Sequence, residues 1–155
     1  MTTLLFFRQT IAEWKPVCRL MRRTRLGFWL ILISLGAIDA AGFTDGSLLP
    51  MVILGAGLTA TLVAAIVLVG PHAGRVSAMT LRHPASPLAL AAGRWLAVTI
   101  LAGLVILIVA VGTAWQAEVE WRVGIEAALS AAGVTVPVAM CGLLVTAGSW
   151  RRRAP

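Results

Sequence analysis

The amino-acid sequence predicts an all-α integral membrane protein, a four-helix bundle preceded by an amphipathic interfacial helix. The first observation is composition: 59% of the 155 residues are hydrophobic and 12% are charged, about half the charged fraction of a typical soluble domain. The second is length, because four apolar segments approach or exceed the ~20 residues that a helix needs to cross a bilayer. The predicted spans are residues 26–44, 48–69, 95–114 and 124–149.

The positions of the charges predict that both termini lie in the cytoplasm. Of the 13 basic residues, 12 fall before the first span, between the second and third, or after the fourth, and only Arg122 falls on the other side. Short loops rich in Lys and Arg remain in the cytoplasm. Residues 1–25 are therefore expected to be a cytoplasmic basic segment, residues 70–94 a cytoplasmic loop and residues 150–155 a cytoplasmic tail, in a multi-pass protein of the cytoplasmic (inner) membrane.

Tryptophan positions agree with this arrangement. Five tryptophans lie near predicted span ends, where an indole ring can sit at the level of the lipid headgroups. They are Trp29, Trp95, Trp115, Trp121 and Trp150. We expect these rings to mark the two membrane interfaces.

The N-terminal segment is expected to lie on the inner membrane surface, with lipid as its partner. Its apolar residues recur at helical spacing, which is typical of an amphipathic connector helix. They are Leu4, Phe7, Ile11 and Trp14. Pro16 should end this helix, and the basic residues between 19 and 25 should sit among anionic headgroups before the chain enters the bilayer.

Two acidic residues interrupt the predicted spans. Asp39 lies roughly 13 residues into the first span, which predicts a depth of about 10 Å below the outer surface. An ionisable residue there is either functional or, if the span ends early, an interfacial cap, and the sequence leaves both open. Glu126 lies near the outer end of the fourth span, one turn from Arg122, which we expect to be its ion-pair partner.

Small residues one helical turn apart predict helix-packing faces in lipid. The pairs are Gly36 with Ala40, Gly55 with Thr59, Ala60 with Ala64, and Ala128 with Ala132. Such faces favour an oligomer, with either identical or different chains. Pro137 should interrupt the fourth helix and kink it near the middle of the membrane.

No residue pattern points to catalysis, a cofactor or a metal, so an enzyme is not expected. The GxGxxA spacing of residues 55–60 lacks the acidic residue and the βαβ context of a dinucleotide site. His72 and His83 have no other ligand at metal spacing, and Cys18 and Cys141 are interpreted as inert. The cations are spread over three segments, which argues against a nucleic-acid surface.

The cytoplasmic stretch Leu81-Arg82-His83-Pro84-Ala85-Ser86-Pro87-Leu88-Ala89-Leu90-Ala91-Ala92-Gly93-Arg94 resembles the loop between the second and third spans of ABC-2-type exporter permeases. In that family a leucine-rich helix leads to a Pro-x-Ser turn, and Gly-Lys or Gly-Arg follows nine residues after the proline. Pro84, Ser86, Gly93 and Arg94 match this pattern. Pro87 stands where the family usually has a basic or polar residue.

The resemblance implies a transport role. The loop, with Leu81, Pro84, Ser86, Pro87, Gly93 and Arg94, would dock on a separate ATP-binding cassette subunit, and paired permease chains would open a route for substrate. Such permeases usually have six spans and this sequence predicts four, which would make it a truncated, split or reduced version. The competing interpretation is a non-transporting four-helix accessory or scaffold protein that acts through its small-residue faces.

The predicted topology can be tested by labelling single cysteines. Cysteines at Ser77 and Thr146 should react only from the cytoplasmic side, whereas cysteines at Gly46 and Ala117 should react only from outside, because the positive-inside rule requires this orientation. A membrane-impermeant thiol reagent applied to intact cells and to inverted vesicles measures the difference. Labelling of the Gly46 cysteine from the cytoplasm would contradict the topology.

Overall fold

Five α-helices and one short 3-10 turn form the part of the chain that the computed structural model describes, which is residues 8, 11, 14–43, 46–69, 87–116 and 121–151. The helices are α1 (Trp14–Arg23), α2 (Leu26–Gly42), α3 (Leu49–Val69), α4 (Pro87–Gln116) and α5 (Trp121–Arg151), with the 3-10 turn at Gly46–Leu48. These ranges contain no β-strand. The predicted all-α class is confirmed for them.

Three helices are long and apolar enough to cross a membrane: α3, the Ala91–Gln116 part of α4 and the Trp121–Val145 part of α5. The 17 residues of α2 span ~25 Å, less than the ~30 Å of a typical hydrocarbon core. α2 qualifies only together with Val17–Arg23 of α1, and the two pieces are bent by 69°. By length and composition there are three candidate spans, or four if the bent pair counts as one, and these suggest a multi-pass membrane protein.

Two helix ends differ from the predicted spans for local reasons. α2 ends at Gly42, two residues before the predicted end, because Phe43 donates its N–H to the Ala40 carbonyl at 3.2 Å and closes a tighter last turn. α4 begins at Pro87, before the predicted start at residue 95. Proline fits the first helical position since its missing N–H would have no partner there.

The two prolines expected to break helices lie within helices instead. Pro16 lies in the first turn of α1, where no intrahelical bond from its nitrogen is needed. α5 continues as one helix through Pro137, and the predicted kink there stays a prediction. Most of the predicted N-terminal helix falls outside the described residues, but Arg8 and Ile11 are both helical and exposed.

α3 and α4 form the centre of the bundle. α3, α4 and α5 pack against one another, and α2 packs on α3 and α4. α2 and α5 make at most marginal contact, so they occupy different sides of the α3–α4 pair. α1 crosses one end of the bundle and touches α2, α3 and α4. Within the described residues α4 is therefore in contact with every other α-helix.

The bundle places small side chains inside and large apolar ones outside. Of the 24 buried apolar residues in the described part, 13 are alanines, whereas large residues such as Met51, Leu62 and Ile66 of α3 are exposed. The buried face of α3 combines small residues, among them Ala60 and Ala64, with the large residues Leu49, Ile53 and Leu68, all at 2% exposure or less. Where helices cross a membrane, lipid is as apolar as leucine, and close packing of small residues then replaces hydrophobic burial as the force that joins them.

Two glycines permit the closest approaches of α3, α4 and α5. A Cβ atom at Gly57 of α3 would lie 2.8 Å from the Ile106 side chain of α4 and 3.1 Å from the Thr135 methyl of α5. A Cβ atom at Gly142 of α5 would overlap the outer edge of the Trp95 ring of α4. Trp95 is buried, and a buried indole is rigid, so the second contact has less room to adjust.

We predict that Gly142→Ala destabilises the bundle by about 1–3 kcal/mol because the added methyl meets the Trp95 ring. Gly133→Ala is the matched control, since it lies on the same helix with no side chain within 4 Å. Helix propensity favours alanine at both positions by about 1 kcal/mol. Thermal unfolding of the purified chain in detergent should therefore show a lower Tm for Gly142→Ala and an unchanged or higher Tm for Gly133→Ala. Equal Tm values would contradict this contact.

Candidate functional site

The segment that resembles the permease loop leads directly into α4. Leu81, Pro84 and Ser86 lie outside the described residues, whereas Pro87 is the first residue of α4 and Gly93 and Arg94 lie two turns further on. Because the helix is continuous from Pro87 to Gln116, a displacement of its first residue moves the whole helix. Pro87, Gly93 and Arg94 therefore belong to one of the two central helices of the bundle.

The beginning of α4 is enclosed on most of its circumference. The buried residues between positions 88 and 98 are Ala89, Ala91, Gly93, Arg94, Trp95, Ala97 and Val98. Leu88 and Leu96 are exposed and Ala92 is half-buried. These three residues are spaced four apart, so they form a single narrow strip along the helix. The remaining sides of this helix end face the rest of the bundle.

Arg94 is 6% exposed, which directs its guanidinium into the bundle. A buried charge is tolerated only where surrounding groups satisfy it, so Arg94 belongs to the internal packing of this end of the protein. Gly93 is also buried. Gly93 and Arg94 are therefore both enclosed by the bundle.

Trp95 connects the beginning of α4 to α5. Its ring lies against Gly142, on the part of α5 that follows Pro137. Trp95 is 8% exposed, whereas Trp29, Trp115 and Trp121 are all more than half exposed, so its ring packs against the protein and its place at a membrane interface stays a prediction. The side chain of Trp150 is outside the described part. A glycine on α5 makes room for this indole inside the bundle.

α1 covers the same end of the bundle with its apolar face. Val17 is buried at 3% exposure, and Leu20 and Met21 pack against the core. Arg19 and Arg22 are exposed on the other face. The packed end of the protein therefore consists of α1, the beginning of α4 and the last turns of α5, with cations on its outside.

Asp39 lies on the outside of α2, three residues before the helix ends at Gly42. This is ~5 Å from the end of the helix at 1.5 Å per residue, closer than the depth of about 10 Å expected from the sequence. The interfacial interpretation and a hydrogen-bonded or ion-paired role for this carboxylate both stay predictions.

The expected ion pair between Arg122 and Glu126 is present. Their side chains approach to 3.9 Å and are 86% and 73% exposed. Exposed pairs of this spacing contribute at most about 0.5 kcal/mol to stability. The pair therefore lies on the surface of the first two turns of α5 and contributes little to the stability of the bundle.

The small-residue pairs fall into two groups. Gly36, Ala40, Gly55 and Thr59 are exposed on the outside of α2 and α3, and no atom of another helix lies within 4 Å of a Cβ atom built on Gly36 or Gly55. Ala128 and Ala132 are half-buried, and Ala128 packs against the core. The exposed pairs do not join helices of this chain, so they are available to lipid or to a second chain.

Buried hydroxyl groups inside the bundle bond to their own helices. Thr61 donates to the Gly57 carbonyl at 2.8 Å, Thr113 to the Val109 carbonyl at 2.8 Å and Thr135 to the Ala131 carbonyl at 2.9 Å. Ser34 does the same with Leu30. These hydrogen bonds occupy the donors that a polar solute would need, so they give the described interior an apolar character.

The remaining chemistry-bearing residues are dispersed. Cys18 and Cys141 are exposed thiols on different helices, and His72 and His83 lie outside the described residues. No group of three His, Cys, Asp or Glu side chains that could hold a metal occurs within the described ranges. The contacts that sequence reasoning missed are those of Gly57 and Gly142, whose only signal is a glycine within an apolar helix.

Comparison of the chain with protein-family models, with curated proteins and with solved structures gives no significant match. The described part of the chain is a small helical protein with three or four candidate membrane spans, in which α3 and α4 each contact all the other described α-helices.

We predict that Asp39→Asn leaves membrane insertion and Tm unchanged, within about 0.5 kcal/mol, because substitutions on an exposed surface seldom cost more. Glu126→Gln, a second exposed carboxylate, is the matched control. The yield in the membrane fraction and thermal unfolding in detergent are the measurements. A loss of folded protein for Asp39→Asn alone would indicate a structural partner, and lost transport or partner assembly with normal folding would indicate a functional carboxylate.

Proposed function

We propose that the chain is the membrane-spanning permease subunit of an ABC-2-type exporter and couples to a separate ATP-binding subunit through the cytoplasmic loop 70–94. The observation that carries the proposal is the position of α4. It begins at the end of this loop and contacts every other described α-helix. A force applied to the loop by a nucleotide-driven partner would therefore reach the entire bundle. ATP hydrolysis would take place in the partner, so the chain itself needs no catalytic residue or cofactor.

The packing around Arg94 and Trp95 supports this role. The beginning of α4 is closely packed against its neighbours, and the Trp95 ring fills the space beside Gly142 of α5. Close-packed interfaces shift between discrete arrangements and do not deform gradually. Movement of α4 would therefore displace α5 as a rigid neighbour, which a coupling mechanism requires.

The substrate route would lie between two permease chains. Interior hydroxyls of the bundle bond to their own helices, and its core is made largely of alanine and other apolar residues. A route along the outside of one bundle needs a second chain to close it. The exposed pairs Gly36 with Ala40 and Gly55 with Thr59 would allow such a chain to approach closely. With both termini in the cytoplasm, loop 70–94 faces the ATP-binding subunit.

The second candidate is a non-transporting four-helix scaffold or accessory protein. The observation that favours it is the same exposure of Gly36, Ala40, Gly55 and Thr59, since these faces suit helix association without any cytoplasmic partner. For this function the loop only joins two helices. The two proposals therefore differ in what loop substitutions should do.

We predict that replacing Leu81, Pro84 and Ser86 with alanine lowers co-purification of the proposed ATP-binding cassette subunit by at least about tenfold, which corresponds to 1.4 kcal/mol of binding. Membrane insertion should not change because the apolar segments keep their lengths. The amounts of both proteins in affinity-purified membranes and the ATPase activity linked to transport are the measurements.

Substitutions on the helix faces test self-association, which both proposals use. Gly36→Leu and Gly55→Leu should disrupt it for either function, and Gly103→Leu, which also meets no atom within 4 Å, is the matched control. The loop variants decide between the functions, because for a scaffold they should be nearly silent. If no ATP-binding protein co-purifies with the native chain while the chain still assembles with itself, the permease proposal is wrong and the scaffold is favoured.

A further inference from the structure

The turn between α1 and α2 contains an arginine in the left-handed conformation. Arg25 has φ 52° and ψ 32°, and among the described residues it is the one non-glycine residue with positive φ. Glycine and asparagine adopt this conformation with little strain, whereas arginine does so rarely. Thr24 completes α1 by donating its N–H and its hydroxyl to the Leu20 carbonyl at 2.9 and 2.8 Å. Leu26, fully buried, then anchors the start of α2.

Cations cluster on the outside of this turn. Arg19, Arg22 and Arg23 of α1 are exposed, as is Arg25. At 3.6 residues per turn the three α1 arginines fall within an arc of about 100°. The buried Val17 lies on the opposite face of the helix. Residues 19–29 are termed the elbow, and no acidic residue occurs between Trp14 and Ile38 to neutralise it.

Exposed aromatic rings border the elbow. Phe28 and Trp29 are 60% and 51% exposed, and their rings meet edge to face with centroids 6.0 Å apart. Trp14, at the other end of α1, is 42% exposed. Indole rings prefer the boundary between hydrocarbon and headgroups. Trp29 lies one turn, ~6 Å, beyond Arg25 along α2, which places the arginines in the headgroup layer.

We propose that the elbow is a binding surface for anionic phospholipid headgroups, in which Arg19, Arg22, Arg23 and Arg25 hold lipid phosphates. A guanidinium forms paired hydrogen bonds to phosphate oxygens, and basic residues next to a membrane are attracted to anionic lipids. The strained turn fits this role, because it orients Arg25 away from the bundle beside the α1 arginines. The proposal is independent of the permease or scaffold function.

An acidic protein surface would be attracted by the same charges, but the surroundings of the elbow favour lipid. A cytoplasmic protein would leave Trp14, Phe28 and Trp29 exposed to water or buried against a polar surface. Lipid accommodates both the aromatic rings and the arginines of the elbow, since the rings enter the hydrocarbon boundary while the arginines meet the phosphates. The bend of 69° between the helices lets α1 follow the membrane surface as α2 enters it.

The test uses the purified full chain with Cys141→Ser and an environment-sensitive fluorophore on Cys18, an exposed thiol of α1. The chain is placed in phosphatidylcholine nanodiscs that contain increasing fractions of phosphatidylglycerol. The fluorophore should respond to phosphatidylglycerol, and the response should weaken with salt. Arg22→Gln and Arg23→Gln should each lower the apparent association constant for phosphatidylglycerol about fivefold, and the variant with glutamine at positions 19, 22 and 23 should abolish the response.

Three comparisons make the outcome decisive. Arg25→Asn fits the left-handed turn and should lose affinity by a similar factor, whereas Arg25→Lys should retain most of it, which separates charge from backbone strain. Arg122→Gln, at an exposed arginine far from the elbow, should bind like the native chain, and size-exclusion profiles confirm folding. A response that is independent of phosphatidylglycerol, or one that Arg122→Gln lowers equally, would overturn the proposal. A response to soluble polyglutamate in pure phosphatidylcholine discs, without one to phosphatidylglycerol, would assign the elbow to an acidic protein.

Discussion

Close packing of small side chains among α3, α4 and α5 is the constraint on which the rest of this structure depends. In a membrane, apolar side chains would gain nothing by leaving lipid, and van der Waals contact at short distance would hold these helices together. Gly57 receives Ile106 and Thr135, and Gly142 receives Trp95. Each contact combines a missing side chain on one helix with a large one on another, which fixes both the register and the rotation of the helices.

This packing also decides how the two ends of the protein differ. At one end α4 is surrounded by α1, α5 and its other neighbours, and Arg94 is enclosed there. At the other end the side chains of Arg122 and Glu126 are largely exposed. Because a buried cation and a buried indole lie next to the loop, a local rearrangement would disrupt more packing at the enclosed end than at the other. A displacement of the loop would therefore first change the packing around Trp95.

Apolar length was sufficient to locate the helices, because a run of about twenty apolar residues has few other stable arrangements. The sequence could not identify the buried face of each helix, since every face is apolar. Gly55 with Thr59 and Ala60 with Ala64 have the same spacing on α3, yet the first pair is exposed and the second is buried. The burial of Trp95 depends on Gly142 of another helix, and no local pattern reports such a distant pairing. Pro16 was misjudged because its position relative to the helix start was unknown.

The short length of α2 has a consequence for the surrounding bilayer. α2 presents ~25 Å of helix to the lipid, whereas the 25-residue apolar part of α5 presents ~37 Å on a different side of the bundle. A membrane of uniform thickness cannot match both heights. In a bilayer, the lipid would become thinner beside α2, or the bundle would tilt so that α5 shortens its projection, and either response would have an energetic cost that grows with membrane thickness. Hydrophobic mismatch would then favour thinner bilayers and neighbours that shield the α2 side.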